Sequence, residues 1–152
     1  MFPVTISAGV DVTGTAVTDG LTVAGNVSID GGTIKLDGNY PTGTNNVALG
    51  NTALDSLTSG GYNTAIGSDA LTANTSGSHN VAVGQQSLYV NTTGSDNIAI
   101  GSYSLDGNTT GSNNTAMGRG VLNSNTTANN NTGVGYKSLK DNTTGTENTA
   151  VF

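Results

Sequence analysis

Cysteine is absent from the 152-residue chain, so neither disulfides nor thiolate metal sites can staple its fold. Tryptophan is absent too, phenylalanine occurs twice, and 34% of the residues are hydrophobic, which leaves little material for an ordinary core. Charge is scarce as well: Asp, Glu, Lys and Arg make up 9% of the chain, against roughly 25% in typical soluble proteins. Disordered chains join low hydrophobicity to dense charge and many prolines, and this chain has two prolines. The net charge of −6 comes from ten scattered acids, and the bases are Lys35, Arg119, Lys137 and Lys140. That balance argues against nucleic acid or an anionic membrane surface as a partner. No stretch approaches the ~20 apolar residues of a membrane span, and MFPVTISAGV lacks the basic and apolar regions of a signal peptide. Neither membrane insertion nor export is expected from these residues.

Gly, Asn, Thr and Ser fill the space that charge and aromatics vacate, and they do so periodically. The motif Asn-x-Ala-aliphatic-Gly, or a close variant, starts at Asn46, Asn63, Asn80, Asn97, Asn114, Asn131 and Asn148, always 17 residues apart. With this Asn as position one, position nine is always Leu: Leu54, Leu71, Leu88, Leu105, Leu122 and Leu139. Position four is aliphatic or Met: Leu49, Ile66, Val83, Ile100, Met117, Val134 and Val151. These two columns are the expected core. Position five carries Gly50, Gly67, Gly84, Gly101, Gly118 and Gly135, which fits a tight turn needing positive φ or close backbone approach. A second turn falls in the Asn-Thr-Thr-Gly stretches, such as Asn91 to Gly94.

Two turns in a unit of 17 residues leave room for two short strands, at positions two to four and seven to ten. The expected fold is therefore all-β, a parallel β-solenoid or β-roll in which each repeat is one coil. Helical-pair repeats are about twice as long and poorer in Gly and Asn. Coils stacked about 4.8 Å apart let Asn amides and Thr hydroxyls pair with their equivalents above and below, so these polar columns are read as structural. Burying one Leu and one Ile yields only about 3 to 6 kcal/mol per coil, and ordering the rest of the coil opposes that gain. Packing the Leu column of several copies around a shared axis is expected to make up the difference, in a homotrimer.

Residues 1–40 follow another pattern, aliphatic-x-aliphatic-x-Gly, at VDVTG, LTVAG, VSIDG and IKLDG. Alternation with Gly reads as short strands in an irregular β-stem or attachment module, and the boundary with the 41–152 solenoid lies at Tyr40-Pro41-Thr42-Gly43. Phe152 stands where earlier repeats place Gly, so it either caps the stack or marks a cut within a longer fibre.

NTAIG, NIAIG and NTTGSNNTAMG resemble the head repeats of trimeric autotransporter adhesins and repeats in bacteriophage tail-fibre proteins, over about residues 45–152. The resemblance to adhesin heads implies a trimeric, left-handed parallel β-roll, with a longer loop in each coil here. GTAVTDGLTVAGNVSIDGG is similar to stem segments of phage fibre proteins and tips the expectation toward a virion protein. The implied role is a structural fibre segment that extends or presents an adhesive tip for host attachment. Its partners would be copies of itself and, through the N-terminal segment, other virion or fibre proteins. The alternative is an extracellular trimeric adhesin head that itself binds a host protein or glycan.

No cofactor and no catalytic site are expected. The single His79 has no repeated neighbours that would form a triad or metal cluster, and a solvent-facing loop residue is the simpler reading. Asp55, Asp69, Asp96, Asp106 and Asp141 form no calcium-loop pattern. Asn74, Asn91, Asn108, Asn125 and Asn142 head glycosylation sequons, yet all occupy position twelve, where a turn Asn is already required. The Thr columns that follow them could order water as an ice-binding face, although a turn location would make that face bumpy. Tyr62, Tyr89, Tyr103 and Tyr136 could stack on sugar rings, but their repeat positions do not place them on one face.

Overall fold

A computed structural model describes residues 44–152 of the chain, so the expected β-stem of residues 1–40 lies outside the described residues. Each repeat contributes one short strand: β1 (Val47–Leu49), β2 (Thr64–Ile66), β3 (Val81–Val83), β4 (Ile98–Ile100), β5 (Thr115–Met117), β6 (Thr132–Val134) and β7 (Thr149–Val151). They form one parallel sheet in chain order, and no helix occurs among the described residues. The register advances by a full repeat at each step: Ala48 pairs with Ala65, Ala65 with Ala82, Ala82 with Ala99. This is the parallel β-solenoid that the spacing predicts.

The second expected strand, at positions seven to ten, does not form. Positions seven and nine sit in the left-handed region in every coil, as in Tyr103 (φ 61°) and Leu105 (φ 49°), and a ladder of extended residues cannot pass through such angles. Coils still hydrogen bond there, because the inverted peptide units aim donors and acceptors along the stack. The Leu71 amide donates to Ser87 O (3.0 Å), and the Gln86 amide donates to Ser68 O (2.9 Å). Left-handed φ costs a leucine about 1 to 2 kcal/mol, which its complete burial at about 1.5 to 3 kcal/mol offsets. Leu54, Leu71, Leu88, Leu105 and Leu122 are all fully buried, and Leu139 packs against the same cluster.

The position-four column does not lie in the core. In a three-residue strand the side chains alternate, and here the middle Ala points inward: Ala65, Ala82, Ala99 and Ala116 are fully buried. Positions two and four consequently face out. Leu49, Ile66, Ile100, Met117 and Val151 are exposed, and Val83 and Val134 are half-buried. Opposite the Ala column the Leu side chains are large enough to fill a narrow interior alone, so small residues on one wall meet large ones on the other. Position eight completes the wall with Ala53, Ala70, Ser87, Ser104 and Val121, and Ser87 and Ser104 satisfy their buried hydroxyls on Gly84 O (2.9 Å) and Gly101 O (2.7 Å).

Two Asn ladders flank this apolar strip, and both are buried. At position one, Asn97 donates from its backbone N (3.0 Å) and its Nδ2 (3.2 Å) to Asn80 Oδ1, and from Nδ2 to Gly111 O (2.8 Å). Its own Oδ1 accepts the same pair from Asn114. At position twelve, Asn91 Nδ2 donates to Asn74 Oδ1 (2.9 Å) and Asn108 Nδ2 to Asn91 Oδ1 (2.9 Å). In the inner coils each such Nδ2 has two acceptors, as at Asn80, Asn97 and Asn114 and at Asn91, Asn108 and Asn125, which is the condition for keeping such groups out of water. The Thr hydroxyls at position thirteen also link coils, donating to the next Thr carbonyl, as Thr92 does to Thr109 O (3.0 Å).

The turn glycines answer two demands at once. Gly67 has φ 133°, and a Cβ placed on it would lie 2.6 Å from Gly84 O in the next coil. Neither demand leaves room for another residue at position five of the inner coils.

Candidate functional site

With its interior filled and its polar columns satisfied, the solenoid can act on other molecules only through its outer faces. Two of these are distinctive. The first is the outer side of the parallel sheet, where Val47, Leu49, Thr64, Ile66, Val81, Val83, and their equivalents through Val151 stand in two columns. These columns hold no charged residue. Its footprint, seven strands about 4.8 Å apart and three residues wide at about 3.3 Å each, projects to roughly 300 Å², and each added coil lengthens it.

The second lies across the turns at positions six, seven and ten of the last coils. Tyr103, Arg119, Gly120, Asn123, Lys137 and Lys140 line an open pocket of about 260 Å³. The column at position seven runs Thr52, Asp69, Gln86, Tyr103, Gly120, Lys137, so one coil omits its side chain between a tyrosine and a lysine. That omission is not forced by the backbone. Gly120 has φ 66°, while Gln86 (φ 54°) and Lys137 (φ 57°) adopt nearly the same conformation with full side chains. A Cβ on Gly120 would meet only Lys137 Cγ, at 3.5 Å.

Around this gap the Arg119 guanidinium lies 5.9 Å from the Tyr103 ring centroid and 6.0 Å from that of Tyr136, and its Nη1 donates to Tyr136 Oη (3.4 Å). Lys137 Nζ sits 5.0 Å from the Tyr136 ring. The Lys137 ammonium, by hydrogen bonding and by its charge, and Arg119 with it, pull the Tyr136 hydroxyl below its ordinary pKa. Beside the pocket, Asn123 Nδ2 donates to Tyr103 O (3.3 Å) and to Asp106 Oδ2 (3.4 Å). Asp106 Oδ1 is buried with no hydrogen-bond partner, and desolvation raises the Asp106 pKa more than the Asn123 contact lowers it.

The tyrosines therefore do not all stand apart, as their repeat positions suggest: Tyr103 and Tyr136 share Arg119. Stacking converts a difference of two coils and one position into proximity, which a linear count hides. The readable signals were the clustering of Arg119, Lys137 and Lys140 within two repeats and the lone Gly in the position-seven column. Tyr62 instead stacks flat on His79, with ring centroids 5.0 Å apart, and His79 Nδ1 lies 4.0 Å from Asp96 Oδ1. All three are exposed neighbours in one position-seventeen column. Among the described residues no group of three or more His, Cys, Asp or Glu converges on a metal-sized site.

The sequon asparagines Asn74, Asn91, Asn108 and Asn125 are fully buried, and their Nδ2 atoms donate inside the coil, so glycosylation there requires breaking the ladder. The position-thirteen hydroxyls give their protons to the next coil's carbonyls, which leaves that Thr column without the free donors of a water-ordering array. No protein-family model, no curated protein and no solved structure matches this chain.

Proposed function

We propose that the chain is a structural fibre segment, a virion or extracellular rod element that extends or presents an adhesive tip for host attachment. The observation that carries this reading is the uninterrupted stack: seven equivalent strands in register, with both Asn columns hydrogen bonded coil to coil. A rod built this way gains length by repetition and needs no change of design along its axis. The similarity of the N-terminal segment to phage fibre stems favours the virion, with residues 1–40 joining the solenoid to other fibre proteins.

Homotrimerisation belongs to the same proposal, with its axis moved. The Leu column is already enclosed by its own chain, so it has nothing to offer a partner. The position-two and position-four columns do. Parallel sheets are ordinarily covered on both faces, and an uncharged strip of aliphatic and Thr side chains can be complemented by its own copy. The expected mass in solution is three times that of the 15.0 kDa chain. Light scattering coupled to gel filtration checks this: Ile66→Glu with Ile100→Glu should give a smaller, still β-structured species, and a wild-type monomer at micromolar concentration would refute the trimer. Electron microscopy of the purified chain tests the fibre reading itself, because rods whose length grows with coil number support it and globular particles do not. The second reading, a glycan-binding head, is favoured by one observation, the basic and aromatic pocket.

A further inference from the structure

All three bases among the described residues, Arg119, Lys137 and Lys140, line one pocket of a chain whose net charge is −6. Gathering like charges destabilises a fold unless something compensates, and the compensation among the described residues is small. Among the described residues the carboxylate within ion-pair distance of any of them is Asp141, 3.8 Å from Lys140 Nζ and itself highly exposed. The stack does not need these residues either: the equivalents of Arg119 are Asn51, Ser68, Gln85, Ser102 and Tyr136, and those of Lys137 are Thr52, Asp69, Gln86, Tyr103 and Gly120. Cationic charge, two tyrosine rings and an omitted side chain therefore coincide at one place for a reason other than folding.

We propose that this pocket binds a single acidic sugar residue, a pyranose ring bearing a carboxylate, whether free or at the end of a glycan. The gap over Gly120 receives the ring, since about 260 Å³ lies just under the range of ~300 to 1,000 Å³ typical of drug-sized ligands. Tyr103 offers an aromatic wall for the ring's C–H face. Arg119, oriented by Tyr103 and Tyr136, presents a planar fork to the carboxylate, and Lys137 and Lys140 add point charge. Asn123 uses its Nδ2 on Tyr103 O and Asp106, which leaves its Oδ1 as an acceptor for a sugar hydroxyl. This site goes beyond a spacer role and does not depend on the oligomeric state.

The test is a titration of the full, isotope-labelled chain with methyl β-glucuronide, methyl β-glucoside and sodium sulfate, followed by amide chemical shifts. The glucuronide is expected to shift Tyr103, Gly120, Asn123 and Lys137 and to bind about tenfold more tightly than either control. Gly120→Gln, which restores the side chain that coil three carries as Gln86, should fill the gap and abolish these shifts. Arg119→Gln should weaken binding by about tenfold, and because Arg119 is exposed its melting temperature should match wild type, which keeps the test valid if Gly120→Gln folds poorly. Shifts absent at millimolar glucuronide, equal binding of glucoside, or equal binding of sulfate would each overturn the assignment, the last by reducing the pocket to an attractor of simple anions.

Discussion

Asn97 makes five hydrogen bonds with two side-chain atoms and one backbone donor, and no other residue type of its size has both the donors and the acceptor to do so. Asn97→Ala would take away the one side-chain oxygen that accepts from both Asn114 N and Asn114 Nδ2, and leave Gly111 O with Asn108 Nδ2 as its remaining amide donor. With each lost partner worth about 1 to 3 kcal/mol, a loss of about 3 to 5 kcal/mol is expected in urea unfolding, far more than the few tenths of a surface change. Asp106 presents the opposite case, a carboxylate whose charged form the fold disfavours. Its folded pKa is raised above the ordinary 3.8 by burial. A raised folded pKa contributes stability that is present below the unfolded pKa and lost as the pH rises through the folded one. Asp106→Asn should thus melt with wild type at pH 3 and a few degrees above it at pH 7, measured by circular dichroism across pH. The amide would also face Asn123 one coil on, extending at position ten the kind of pairing already made at positions one and twelve. Equal melting temperatures at pH 7 would contradict this account.

Coil six replaces the inward Ala of its strand with Gly133, and coil five replaces the small position-eight residue with Val121. The two changes fit each other: a Cβ on Gly133 would lie 2.5 Å from Val121 Cγ1. Gly133→Ala alone should therefore overpack the interior and cost about 1 to 3 kcal/mol. Val121→Ser alone leaves a void, and the two together restore the residue pair of the preceding coils, where Ser87 is followed one coil on by Ala99 and Ser104 by Ala116. A double-mutant cycle should give a coupling of at least ~1 kcal/mol, and additive effects would show that the contact is not shared. Elements of this kind also mark what was legible beforehand. The period, the parallel stacking, the Leu column, the Asn ladders and the turn glycines are all readable, because each repeat votes again for the same weak signal. The facing of position four is not. A three-residue strand has two phases, and the bulk of Ile66 or Ile100 argues for the interior while the geometry gives that place to Ala65 and Ala99. The left-handed Leu column was equally hidden, since intrinsic propensity opposes it at Leu105 and only the assembled stack supplies the compensating burial. The pocket depends on residues from three coils, and its clearest trace in one dimension is the missing side chain at Gly120.

Along the whole molecule each coil touches only its neighbours, so stability should follow the number of complete units and their register. Removing residues 97–113 joins Asp96 to Asn114 and leaves every column continuous. That variant should fold with an unchanged spectrum per residue and a melting temperature lowered by several degrees. Removing residues 97–112 shortens the chain by nearly as much but shifts every later side chain by one, which turns the outward aliphatic columns inward and Ala outward. It should lose cooperative unfolding in the coils beyond the junction, as hydrogen exchange would reveal, and equal behaviour of the two deletions would dismiss strict register as the organising constraint. The unbroken spacing from Asn46 to Asn148 has an evolutionary corollary. A coil is a unit of fixed length, so duplication or loss of one whole coil preserves both the reading frame and the side-chain alignment. The length of the described stack can thereby change by inheritance in whole-coil steps.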